Sequence, residues 1–163
     1  MNGHATQSQE GRLVATFLLG DASFGLDAHE VQEVTRVGDV TAVHHAPPYV
    51  VGIRNLRGRI VTIIDLGARL EQRPVVPGPE NRIMIVEWQG EQIGLLVDNV
   101  TGTMTASADS IVPPPPNLHG IQGKNLVGVC RGGERLVGLL DLAGVLHAND
   151  PLAGTRDVAS STV

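Results

Sequence analysis

Residues 52–70, GIRNLRGRIVTIIDLGARL, and residues 128–146, GVCRGGERLVGLLDLAGVL, carry one pattern at a constant offset of 76 positions. Gly52 falls on Gly128, Arg59 on Arg135, Val61 on Val137, Asp65-Leu66 on Asp141-Leu142 and Leu70 on Leu146, and apolar residues replace apolar ones between the identities. Each copy reads as a strand, a glycine-bearing tight turn, a continuous apolar strand and a one- to two-turn helix. The duplication reaches upstream at an offset of 69, where Phe24-Gly25-Leu26 followed by Val31 and Val34 matches Ile93-Gly94-Leu95 followed by Val100 and Thr103. A proline cluster separates the two parts of each copy, Pro47-Pro48 in the first and Pro113 through Pro116 in the second. A unit of about 70 residues in two copies is too long for a solenoid and too few for a propeller, and it fits a pair of small barrels.

The coarse reading follows from that unit. Leu13–Leu19 and Phe24–Ala28 form a hairpin around Gly20-Asp21-Ala22-Ser23, and Glu30–Arg36 continues as a strand, with the spacing of Val31 and Val34 leaving a short helical turn open. Tyr49–Val51 leads into strand Gly52–Leu56, its partner is Arg59–Ile64, and a helix starts after Asp65. The second half repeats this as Arg82–Trp88, Glu91–Val97, Val100–Thr105, Asn125–Arg131, Arg135–Leu140 and a helix over Leu142–His147. Ten short strands with little helix argue against a doubly wound parallel sheet, whose crossovers need long helices. An all-β chain of two SH3-like or OB-like barrels remains. A length of 163 residues suits one compact domain or two lobes sharing a core. Residues 1–12 and 149–163 read as disordered tails, and the proline-bearing connector 71–81 reads as structureless. The fold is carried by residues 13–148, with the copies at about 13–70 and 82–147.

The core has to be aliphatic, because only Phe17, Phe24, Tyr49 and Trp88 are aromatic. Cys130 stands alone, a small buried strand residue, which excludes a disulfide framework and agrees with a reducing cytoplasm. No apolar run approaches the roughly 18 residues of a membrane span. A net charge of -5 argues against a nucleic-acid binder. Asp65, Asp98 and Asp141 each follow an apolar strand, where a catalytic carboxylate can sit, but Asp65 and Asp141 open Asp-Leu-x-x-x-Leu and read as helix caps. His44 and His45 are neighbours on an extended chain and point to opposite faces, so no metal is expected. No nucleophile elbow, phosphate-cradling loop or dinucleotide motif is present, and neither an enzyme nor a cofactor is expected. Arg54, Arg57 and Arg59 surround the first hairpin turn, either as a solvated tip or as a protein-recognition cluster. Pro113–Pro116 reads as a stiff connector, or else as a polyproline ligand.

The ordered motifs FLLGDASFGLDAHEVQEV, APPYVVGIRNLRGRIVTIIDL, IGLLVDNV, ADSIVPPPP and LVGVCRGGERLVGLLDLAGVL resemble those of the CheW family of bacterial chemotaxis coupling proteins, over residues 13–148. The resemblance implies two intertwined five-stranded SH3-like β-barrels with short helices. It also implies a non-enzymatic, cytoplasmic adaptor, monomeric when free, that bridges the signalling tip of a chemoreceptor to the regulatory domain of the kinase CheA. The alternative is a CheW-like adaptor of a twitching-motility or surface-sensing pathway with another kinase. By resemblance, Val31 and Glu33 fall at partner-contact positions, Arg57 on the family arginine of the Asn-Leu-Arg-Gly turn, and Val100 through Met104, Thr103 included, on the strand bordering the receptor groove. Thr62, Gly67 and Thr103 stand where the family commonly has proline, arginine and a larger aliphatic residue, and Thr103 removes apolar area at roughly 0.8 kcal/mol per buried methylene.

Overall fold

Two-residue turns set the local architecture. Arg57-Gly58 and Gln89-Gly90 have positive φ at both central positions (51° and 84°, 52° and 81°), the primed turn whose twist matches that of a β-hairpin. In the computed structural model, which describes residues 11–118, 121–122 and 125–147, these turns join β4 (Val50–Leu56) to β5 (Arg59–Asp65) and β6 (Arg82–Trp88) to β7 (Glu91–Val97). The remaining strands are β1 (Arg12–Leu19), β2 (Ala22–Asp27), β3 (Val31–Thr35), β8 (Asn99–Ala106), β9 (Asn117–Leu118), β10 (Ile121–Gln122), β11 (Leu126–Gly132) and β12 (Arg135–Leu140). Helix α1 spans Leu66–Arg69 and α2 Leu142–His147.

The strands form two five-stranded sheets, ordered β11-β12-β2-β1-β8 and β3-β6-β7-β5-β4, plus the small β9-β10 pair. Each sheet takes a central hairpin from the other copy. The β1-β2 hairpin of the first copy lies between β12 and β8 of the second, and β6-β7 of the second lies between β5 and β3 of the first. The exchanged hairpins dock by parallel pairing in one register: Phe24 faces Gly138 and Gly25 faces Leu139, as Ile93 faces Thr62 and Gly94 faces Ile63. These are equivalent positions under the two sequence offsets, so the duplication and the exchange are one pattern. The two SH3-like barrels are intertwined, the feature that periodicity alone left open.

The exchange merges the interiors. A single apolar cluster runs from Phe17 and Phe24, stacked at 6.3 Å, through Ile63, Leu66, Ile83, Ile85 and Leu95 to Ile121 and Leu146. Burial of each such side chain contributes about 1.5–3 kcal/mol. A smaller cluster of Val14, Ala106, Cys130, Val137 and Leu139, with Met104 and Ile111 against it, fills the far end of the β1-containing barrel.

The strand count, the connector and the N-terminal boundary are corrected. The strands number twelve among the described residues, because the second proline loop ends in β9 and β10, whose Leu118 and Ile121 are drawn into the core. The Val31–Val34 segment is the expected strand, entered through a tight helical turn at Ala28–Glu30, capped by the Asp27 carboxylate on the His29 N–H. The connector 71–81 is held in place: both Asp65 carboxylate oxygens accept from the Val75 N–H at 3.3 and 3.0 Å, and Asn81 Oδ1 accepts from Gly78 N–H at 2.9 Å. Asp65 also caps α1 through the Ala68 N–H at 3.0 Å, and Asp98 takes the Gly20 N–H at 2.7 Å, so both have structural duties. β1 begins at Arg12, inside the expected tail; residues 1–10 and 148–163 lie outside the described residues.

Candidate functional site on two sheet edges

The six residues singled out in the sequence divide between β3 and β8, with Arg57 at the β4-β5 turn. Under the offset of 69, Val31 on β3 is the counterpart of Val100 on β8. Each strand is the edge of its sheet, paired on one side only: β3 with β6 and β8 with β1. The duplication therefore presents two related edges, and the structure keeps Val31, Glu33 and Arg57 on one sheet and Val100, Thr103 and Met104 on the other.

β3 alternates, so that Val31, Glu33 and Thr35 are half-buried while Gln32 and Val34 are exposed, and its register against β6 shifts between Val31 and Glu33. Val31 packs on the core. Arg57 sits in the left-handed region at the hairpin tip, where Asn55 Oδ1 accepts the Gly58 N–H at 2.8 Å. This turn carries the Arg57 guanidinium back to β3, where Nη2 pairs with Glu33 Oε2; the two side chains are 69% and 31% exposed. Screening by water limits such a pair to about 1 kcal/mol or less. Its significance is geometric. β3 and β4 are the outermost strands of one sheet, so a β3–β4 contact closes that sheet into a barrel. Arg54 adds a second contact, its Nη1 donating to Thr35 Oγ1 at 2.9 Å and to the Arg36 carbonyl at 2.7 Å. The paired amides and carbonyls of Thr41 and Ile53, at 2.8 Å in both directions, make a third. The arginine cluster is thus split: Arg54 braces the barrel, Arg57 pairs across it and Arg59 stays in solvent.

The β8 edge is neutral. Val100 is half-buried on the core, Thr101, Gly102 and Thr103 are exposed, and Met104 packs with Cys130 and Val137. Thr16 Oγ1 on β1 meets Thr101 Oγ1 at 2.8 Å and the Gly102 carbonyl at 3.2 Å. The duplication shows what has changed. Where the first copy has Glu33 and Arg57 the second has Gly102 and Gly133, and where the first has Thr35 and Arg54 the second has Met104 and Cys130. Both barrels keep the backbone bridge, Thr41 to Ile53 in one and Val112 to Val129 in the other; beyond it, the first closes through side-chain charge and hydrogen bonds and the second through apolar packing. Sequence reasoning did not single out Arg54 as a brace; the only signal for it was that its duplicate is a cysteine.

The family model described as CheW-like domain matches residues 13–150. This chain belongs to the CheW-like domain family. Its relatives within the family include the probable chemotaxis protein CheW of Rhizobium etli, 31% identical over 83% of this chain and 87% of that protein. Chemotaxis protein CheW of Klebsiella aerogenes is 30% identical over 93% and 90% of the two chains, and protein FrzA of Myxococcus xanthus 27% over 88% and 90%. The scaffolding protein TtCheW from Thermoanaerobacter tengcongensis superposes with a TM-score of 0.78 at 30% identity, covering 86% of this chain and 90% of that one. The CheW-like assignment agrees with the exchanged barrels and makes this a chemotaxis scaffold by family. Gly67 has a physical reason here: a Cβ would lie 2.3 Å from the Arg73 carbonyl oxygen, because the connector folds back onto α1. No helix among the described residues is long and apolar enough to cross a membrane.

Proposed function

We propose that this CheW-like protein is a non-catalytic cytoplasmic adaptor that couples the signalling tip of a chemoreceptor to the regulatory domain of a CheA-type histidine kinase. The observation that carries the reading is the divergence of the two duplicated edges. β3 offers an acid–base pair, Glu33 with Arg57, beside half-buried Val31; β8 offers an uncharged threonine surface beside Val100 and Met104. Two unlike edges on one rigid core suit two unlike partners. Thr103, exposed on β8, tunes the second edge toward a partner that needs little apolar depth there. The net charge of -5 disfavours nucleic acid as a partner. The free chain acts as a monomer, and linkage within an array raises effective concentration enough that each contact can be weak.

A titration of the isotopically labelled chain with a receptor-tip fragment and, separately, a kinase regulatory domain tests this. Amide shifts at Val31, Glu33 and Arg57 with one partner and at Val100–Met104 with the other are expected; no shifts with either at high concentration would overturn the reading. The relative named FrzA favours a second version, in which the same edges serve a CheW-like adaptor of a non-flagellar chemosensory pathway. Running the titration with the regulatory domains of both kinase types separates the two.

A further inference from the structure

We infer that Arg54 is a positioning residue for the β3 edge, holding it at the distance across which Glu33 meets Arg57. The inference rests on the reading of that edge as a partner surface. Three observations carry it. First, Arg54 Nη1, Thr35 Oγ1 and the Arg36 carbonyl close a triangle: Nη1 donates to both oxygens at 2.9 and 2.7 Å, and the Thr35 hydroxyl donates to the same carbonyl at 2.7 Å. One side chain of β4 thus fixes the last residue of β3 and the start of the loop after it. Second, the loop is shaped around this guanidinium. Gly38 lies in the left-handed region at φ 67°, and a Cβ there would be 2.9 Å from Arg54 Cζ and 3.0 Å from Nε, so any larger residue would push the guanidinium from its place. Third, in the second copy the positions of Arg54 and Thr35 are held by Cys130 and Met104, which close that barrel without charge.

Glu33 and Thr35 are two residues apart on β3 and face the same side, while Arg54 and Arg57 flank the tip of β4. The partly buried Arg54 brace holds the strands; the more exposed Glu33–Arg57 pair, weak alone, is thereby presented in a fixed arrangement. Without Arg54, β3 keeps its hydrogen bonds to β6, and the Thr41–Ile53 bridge remains in the loop beyond, but the end of β3 loses its side-chain brace to β4, and a partner must then order the Glu33–Arg57 pair as it binds.

The test uses the full chain and whichever partner, receptor-tip fragment or kinase regulatory domain, shifts Val31, Glu33 and Arg57. Arg54→Met removes the donors and keeps the aliphatic stem. It is expected to weaken that partner about tenfold, ~1.4 kcal/mol, and to leave shifts at Val100–Met104 with the other partner unchanged. Arg54→Lys, whose ammonium can serve both acceptors, is expected to recover binding to within about threefold. Thr35→Val, which keeps Arg54 and the fold of β3, is expected to weaken the same partner only. Wild-type affinity for Arg54→Met, no recovery with Lys, or an equal loss at both edges together with a lower unfolding midpoint would each overturn the inference. If the wild-type chain shows no shifts at Val31, Glu33 and Arg57 with either partner, the parent reading of that edge falls, and this one with it.

Discussion

A Cβ at Gly52 would lie 2.1 Å from the Thr41 carbonyl oxygen, and one at its duplicate Gly128 would lie 2.7 Å from Ile111 Cγ2 and 2.8 Å from the Val112 carbonyl. Both glycines exist because a returning loop crosses the strand there, bridging Thr41 to Ile53 and Val112 to Val129. Gly52→Ala is therefore expected to destabilise the protein by about 2 kcal/mol or more, since backbone must move. Gly58→Ala, which meets nothing within 4 Å but keeps a φ of 84°, is expected to lose only about 1 kcal/mol. Urea unfolding of the two variants checks the order. Glu30 supplies a pH-dependent case. Partial desolvation of this still exposed residue holds its carboxyl somewhat above the ordinary range, with the charges of Asp27 and Asp141 adding to the effect and Arg12 opposing it, so the effect on stability is small. A carboxyl whose folded pKa is raised binds its proton more readily in the native state, so its ionisation weakens the fold as pH rises through that window. Glu30→Gln is expected to unfold at a higher temperature than wild type near pH 7, and to lose that advantage below the ordinary carboxyl range. An advantage that persists at pH 3 would assign the effect to packing.

At the scale of elements, the edges behave differently from the hairpins that carry them. β5, β7, β2 and β12 are flanked on both sides, while β3 and β8 each have one neighbour in their sheet. Charge on β3 and threonine on β8 are what such exposed edges tolerate without strand-to-strand aggregation. Because the pair reaches water, with Arg57 mostly exposed, Arg57→Ala or Glu33→Lys should change unfolding free energy by no more than about 1 kcal/mol while reducing binding to the partner of the β3 edge. Denaturant unfolding beside a binding isotherm separates the effects, and a collapse of stability would make the pair structural.

For the whole molecule, exchange of the β1-β2 and β6-β7 hairpins makes each barrel depend on both copies. Ser23 pairs with Val137 and Phe24 with Gly138, contacts between opposite ends of the described chain. Such long-range parallel pairing slows folding and ties the halves into one cooperative unit. Cutting the chain in the connector, between Val76 and Pro77, gives two fragments that are each expected to be unfolded by circular dichroism and to regain strand signal on 1:1 mixing. A fragment that folds alone would mean that the exchanged hairpin is not required for its barrel.

The duplication, the turn glycines and the alternation of apolar residues determine the ten longer strands and the helices, down to Arg82–Trp88, Glu91–Val97, Arg135–Leu140 and the helix Leu142–His147, but not the short β9 and β10. These features are local, and a period or a turn is written in adjacent residues. The capping role of Asp65 was legible for the same reason, whereas its hold on Val75 ten residues away was not, and the connector was misread as structureless. Which hairpin enters which barrel, the pairing of Glu33 with Arg57 and the brace from Arg54 to Thr35 join residues distant in sequence. Spacing carries no information about such contacts, because they arise only when sheet closure brings the two outer strands together.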